Sequence, residues 1–92
     1  MSETIWKFNL ETTDYQTVKM PKGAEILDIQ TQGGQPCLWA LVDPSKENED
    51  RNFEVFGTGH KVSGDMGISR KYIATYQLES GALIFHVFER LN

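Results

Sequence analysis

Residues 32–42 read QGGQPCLWALV, and this stretch decides the fold. Gln32 to Pro36 is a strong turn signal, with two adjacent glycines at its centre. Cys37 to Val42 follows as a run of strand length that is apolar without alternation. A half-buried strand alternates; an unbroken apolar run belongs to a central strand covered on both faces.

Working outward, the flanking segments carry the period of two that marks strands. In residues 4–11, TIWKFNLE, Trp6, Phe8 and Leu10 fall on one side and Lys7, Asn9 and Glu11 on the other. Thr12 to Asp14 reads as a turn, residues 15–20 as a weaker strand with Val18 and Met20 inward, and Pro21-Lys22-Gly23 as its break. Residues 24–31 form a third strand ahead of the turn. Asp43 to Asp50, DPSKENED, is the most polar stretch and is expected to be an exposed loop. Arg51 to Phe56 is a fifth strand, with Phe53 and Val55 on one face. In residues 72–78, Tyr72, Ala74, Tyr76 and Leu78 alternate against Ile73, Thr75 and Gln77. Glu79-Ser80-Gly81 is a tight hairpin connection. Residues 82–88, ALIFHVF, are the second run that reads as buried on both faces. No long helix is legible; residues 64–71 hold material for one short turn. Seven short strands joined by turns predict an all-β fold, a small antiparallel β-sandwich or curled sheet, forming one domain over residues 1–92.

The totals set bounds on function. A chain of 92 residues with 39% apolar and 24% charged residues is an ordinary globular composition. Its core is modest, and self-association is a common further source of stability at this size. If both apolar runs have two apolar faces, one sheet carries more apolar surface than a single copy covers, which predicts a homo-oligomer. The net charge of −4 argues against general nucleic-acid binding. The single cysteine, Cys37, excludes an internal disulfide and sits in an apolar run, so a reducing cytoplasm is the expected setting. The N-terminal residues lack the apolar run of a signal peptide, and no segment approaches the ~18 apolar residues of a membrane span.

One segment stands apart. Residues 57–70, GTGHKVSGDMGISR, hold four of the chain's eight glycines and separate two strands. Loops this long in compact domains are more often functional than not. Lys61, Arg70 and Lys71 against Asp65 make residues 57–71 locally +2, on a remainder that is −6. A basic spot on an acidic body suits a small anion better than a long polyanion. The expected ligand-binding residues are Gly57, Thr58, Gly59, His60, Lys61, Ser63, Arg70, Lys71 and Tyr72. Glycines 57 and 59 let backbone N–H groups crowd an anion, Arg70 gives a forked contact and Lys61 a point charge. His60 is the histidine placed to meet a phosphate, and Tyr72 packs beside the ligand. The loop is not a P-loop, since no Gly-Lys-Ser/Thr closes it. The competing reading is a mobile surface loop with solvated charges.

Other candidates are weaker. His86 lies among apolar neighbours, on a face with Ile84 and Phe88, and reads as a structural histidine at an interface or under a loop. Cys37 has no basic neighbour and does not read as a nucleophile. Glu47, Glu49 and Asp50 are the only clustered carboxylates and read as solvated. No catalytic set, metal-ligand spacing or cofactor motif is legible, so the expected protein is not an enzyme. Most aromatics belong to the core; Tyr72 and Tyr76 stacking on a ligand base is the alternative.

KFNLETTDYQTVKMPKGAEIL at 7–27, QPCLWALVDP at 35–44, FGTGHKV at 56–62 and YIATYQLESGALIFHVFE at 72–89 together resemble a family of small uncharacterised β proteins of bacteriophages and prophages. The resemblance covers nearly the whole chain and brings no activity or catalytic residue with it. It implies a phage-related accessory protein of the bacterial cytoplasm, by analogy a counter-defence factor that sequesters a host nucleotide signal. The expected function is therefore non-enzymatic binding of a small anionic, nucleotide-like ligand. Two alternatives stand beside it: an inhibitor or adaptor that binds a host protein through a sheet edge or acidic face, and a minor phage structural protein.

Overall fold

A computed structural model describes residues 2–64 and 66–92, and seven strands account for most of them. These are β1 (Thr4–Asn9), β2 (Tyr15–Pro21), β3 (Glu25–Gln32), β4 (Gln35–Val42), β5 (Asn48–Gly57), β6 (Arg70–Leu78) and β7 (Leu83–Arg90). They form two antiparallel sheets, β1-β4-β3 and β2-β5-β7-β6, which pack face to face without closing into a barrel. The all-β expectation holds. Among the described residues the one helical element is the short 3₁₀ turn Glu79–Gly81, and no helix is long and apolar enough to cross a membrane.

QGGQ folds as read, though the turn is tighter. Gln32 pairs with Gln35, leaving Gly33 and Gly34 as the two loop residues. Their φ values of +57° and +81° are what a type I′ hairpin demands at both central positions, and glycine meets that demand without a Cβ clash. Pro36 then lies inside β4 rather than in the turn. β4 is the central strand of its sheet, and Leu38, Ala40 and Val42 point inward and are fully buried. Opposite them stand Phe53 and Val55 of β5 and Val87 of β7, with Met20 and Ile29 closing the ends. Each such side chain contributes about 1.5–3 kcal/mol of burial.

The strand pattern departs from the sequence reading in further places, and β7, read as buried on both faces, leaves Leu83 and Ile84 exposed. β5 begins at Asn48, inside the stretch expected to be loop, because Glu49 and Asp50 pair with Met20 and Lys19 of β2. Lys19 bridges Asp50 at 2.7 Å, and Glu49 accepts the Gly23 N–H, so the polar start of β5 is held against the edge strand β2 by its own side chains. In β6, a bulge at Ile73 breaks the alternation. Ala74 and Tyr76 face the core as expected, but Tyr72, paired with Phe88, is turned onto the outer face of the four-stranded sheet. A bulge inserts one residue, and one residue reverses the side on which everything before it lies.

Between the sheets, Arg51 of β5 and Glu89 of β7 form a two-point ion pair. Arg51 Nε and Nη2 each donate to one carboxylate oxygen, and Nη1 donates to the Ala24 carbonyl at 2.8 Å. Glu89 and its neighbouring oxygens hold the guanidinium charge more firmly than usual, raising the Arg51 pKa.

Candidate functional site

The outer face of the β2-β5-β7-β6 sheet carries an aromatic cluster that the alternation of β5 and β7 dictates. Phe56 and Phe88 meet edge to face at 5.8 Å, and Tyr72, reversed by the bulge, meets Phe88 at 5.5 Å. Edge-to-face pairs at such distances each contribute about 0.5–1.5 kcal/mol beyond burial. Left bare, this surface would be an apolar patch in water. The segment between β5 and β6 folds back over it.

Two devices hold that segment down. Gly57, Thr58, Gly59 and His60 form a turn in which the His60 N–H donates to the Gly57 carbonyl at 3.0 Å. Gly59 sits at φ +87°, as the third residue of a type II turn requires. The His60 ring lies against Gly57 so closely that a Cβ there would stand 2.9 Å from it. At the other end, Arg70 donates from Nη1 to the Ser63 carbonyl at 2.7 Å and from Nη2 to the Ser63 hydroxyl at 3.2 Å, while its Nε donates to Glu54 at 2.6 Å. Its guanidinium also lies over the Phe56 ring, 5.5 Å from the centroid.

Between sheet and segment remains a recess of about 230 Å³. Phe56, Phe88 and Tyr72 form its apolar side, and Val62, Thr58 and His60 its roof and mouth. His86 lies on its floor and is gripped at both ring nitrogens: Thr58 Oγ1 is 2.7 Å from Nε2 and Thr75 Oγ1 is 2.9 Å from Nδ1. The Tyr72 hydroxyl continues this chain, 2.6 Å from Thr75 Oγ1. The expectation of a histidine under a loop describes His86 well, since Thr58 belongs to the segment that covers it.

The structure thus sorts the residues read from the sequence. Gly57, Thr58, Gly59, His60 and Tyr72 come together around the recess. Ser63 does not line it but anchors the segment through Arg70. Arg70 is engaged: only 12% of its side chain is exposed, and its charge is met by Glu54. Lys61 is exposed on the segment beyond His60, and among the described residues no ion pair engages it. Lys71 is separated from the others. It lies in register with Glu89 and lines a different recess, of about 370 Å³, at the seam of β3 and β6. That seam also holds Arg51 and Glu89, whose charges are spent on each other. Asp65, the acid in the local charge count, lies outside the described residues. Of the lining residues that the sequence reading did not single out for the site, Phe56 and Phe88 carried a signal, being apolar at the outward positions of alternating strands.

Chemically, the recess offers aromatic faces to a planar group, and the His60 imidazole and Thr58 hydroxyl to polar atoms on its edge; both His86 nitrogens are already met by Thr58 and Thr75, and Lys61 does not line it. Its volume falls below the ~300–1,000 Å³ usual for drug-sized ligands, so it suits one ring system. No curated protein and no solved structure matches the chain. A model of the family described as a domain of unknown function, DUF7352, matches residues 1–92, and the protein belongs to that family.

Proposed function

We propose that the protein is a non-enzymatic binding module that takes a small anionic, nucleotide-like ligand in the recess between the aromatic face and residues 57–62. The observation that carries this reading is the convergence of Phe56, Phe88 and Tyr72 with His60, His86 and Thr58 on one cavity. A base would lie against the aromatic side, as bases do on stacking platforms. Its polar edge would meet the His60 imidazole and the Thr58 hydroxyl, and its phosphate would project past His60 to the exposed segment that carries Lys61. Arg70 supports the site from behind, through Ser63, and does not meet the ligand. The recess size favours a mononucleotide over a dinucleotide. The setting we infer from the resemblance to phage and prophage proteins is that of an accessory protein acting in the bacterial cytoplasm to sequester a host nucleotide signal.

Titration calorimetry against linear and cyclic mononucleotides tests the reading. One class is expected to release heat with a one-to-one end point, and Tyr72→Ala and Lys61→Ala are each expected to weaken it severalfold with the fold intact. Silence across the panel, or binding indifferent to both substitutions, would overturn it.

A further inference from the structure

The body is a thin plate, with Cα extents of 43 × 37 × 15 Å. Its radius of gyration is 13.8 Å, against ~12.3 Å for a compact chain of this length. Such a shape exposes two broad faces. The aromatic face of the four-stranded sheet is partly covered by residues 57–62 of the chain itself. The outer face of the three-stranded sheet has no third layer, since both sheets turn their inner faces to each other.

Register fixes what that bare face presents. Across one row stand Lys7 of β1, Trp39 of β4 and Asp28 of β3. The next row holds Ile5, Leu41 and Glu25, and the row on the other side Asn9, Cys37 and Gln30. Trp39 and Leu41 are partly buried and Cys37 is buried, while Ile5 is 57% exposed and Leu27, the bulged residue between Ile26 and Asp28, is 45% exposed. The face is therefore a partly exposed apolar stripe along β4 rimmed by Ile5 and Leu27, with Lys7 rooted on the β1 flank and Asp28 and Glu25 on the β3 flank.

We propose that this face docks on the same face of a second copy, about a two-fold axis parallel to β4 and passing over Trp39. Two sheets stacked face to face admit two in-plane axes. An axis across the strands would set Lys7 on Lys7 and Asp28 on Asp28. An axis along β4 exchanges the flanks, so that Lys7 of each copy meets Asp28 of the other, Asn9 meets Gln30, and Ile5 comes opposite Glu25 and the neighbouring Leu27 bulge. Like charges set opposite one another are costly and unlike charges fix register, so the charge pattern selects the second arrangement. Lys7 reaches Gln32 at 2.9 Å within its own copy, a bond to a neutral group that it exchanges for a carboxylate on docking. The face is small: three strands ~4.8 Å apart and ~23 Å long cover less than the ~800 Å² that each partner of a standard interface buries. The dimer is accordingly concentration-dependent. It leaves the recess, on the opposite broad face, free.

Sedimentation across protein concentrations is the test, because the monomer mass is 10.5 kDa and a dimer doubles it. The wild type is expected to move from monomer to dimer between ~1 and ~500 µM. Lys7→Asp alone and Asp28→Lys alone, each placing like charges opposite, are expected to raise the dissociation constant at least ~10-fold. The double variant Lys7→Asp/Asp28→Lys is expected to restore it. Both positions of this cycle are surface sites, and matched thermal melts establish that each variant is folded. A wild type that stays monomeric throughout, whether because another partner or none occupies the face, overturns the proposal. So does a dimer that both single swaps leave intact, or a double variant no better than the singles.

Discussion

Arg70 Nε lies 2.6 Å from a Glu54 carboxylate oxygen, and this pair joins the first residue of β6 to the outer face of β5. Both side chains are largely shielded, at 12% and 14% exposure, and Arg90 approaches the other Glu54 oxygen at 3.7 Å. Because the same guanidinium holds Ser63, the pair sets where the covering segment lies. Arg70→Ala is expected to cost about 1–3 kcal/mol, the range for leaving a shielded polar partner unmade. Amide hydrogen exchange over 58–64 is expected to quicken at the same time. Arg70→Lys keeps the charge but has no fork to reach Glu54 and Ser63 together, so it is expected to behave much like the alanine variant. Denaturant melts and exchange measured on the same samples check both.

Arg51 and Glu89 present the same chemistry between the sheets, where water is scarcer. Removing one partner of such a pair leaves a shielded charge without compensation. Glu89→Ala is expected to cost about 3 kcal/mol, the lower end for a broken buried pair, because Glu49 remains 3.9 Å from Arg51. Arg51→Leu/Glu89→Leu removes both charges and is expected to cost less than Glu89→Ala alone. A double-variant cycle by urea melting reads the difference.

What the residues disclosed in advance divides along physical lines. Strand existence was legible because alternation and turn chemistry are local: QGGQ forces its hairpin, and Phe53 and Val55 turn inward wherever their neighbours lie. The bulge at Ile73 was not, because nothing in YIATYQL distinguishes a continuous alternation from a broken one. It is that bulge which moves Tyr72 from the core face to the recess. The basic loop was legible as unusual, yet its electrostatics were not. Arg70 is matched by Glu54, sixteen residues away in the preceding strand, and Lys71 is carried to the opposite side of β6. Charge counted along the chain gives a patch; charge counted in space matches Arg70 with Glu54 and sets Lys71 in a different recess.

Tyr76 offers a pH dependence of known sign. Its phenol is buried in the core, and that desolvation raises its pKa above the ordinary value near 10, against a smaller opposing effect of the bond to Thr12 at 2.6 Å. The folded protein therefore keeps this proton at pH values where the unfolded chain has lost it. The stabilising contribution is fully present below about pH 10 and is lost as pH rises through the folded value. Tyr76→Phe removes the titration. The variant is expected to be less stable by about 0.5–1.5 kcal/mol at neutral pH, the net worth of one hydrogen bond. The gap is expected to narrow in melts taken above pH 10, and a constant gap would count against a buried phenol.

Gly57 and His60 separate binding from folding. A Cβ on residue 57 would stand 2.9 Å from both Cε1 and Nδ1 of the imidazole, and no positive φ requires glycine there. The backbone accepts alanine, so Gly57→Ala is expected to leave the melting midpoint unchanged or to raise stability by about 0.4–1 kcal/mol through the unfolded chain. The ring, however, must swing away from the mouth of the recess. Its imidazole proton resonances are expected to shift, and affinity for the best mononucleotide of the calorimetric panel to fall about threefold to tenfold. His60→Ala is expected to lower affinity to the same extent, and the double variant no further, because both substitutions remove one contact. Additive losses would mean that Gly57 meets the ligand through its own backbone, and the imidazole would then be an independent contact.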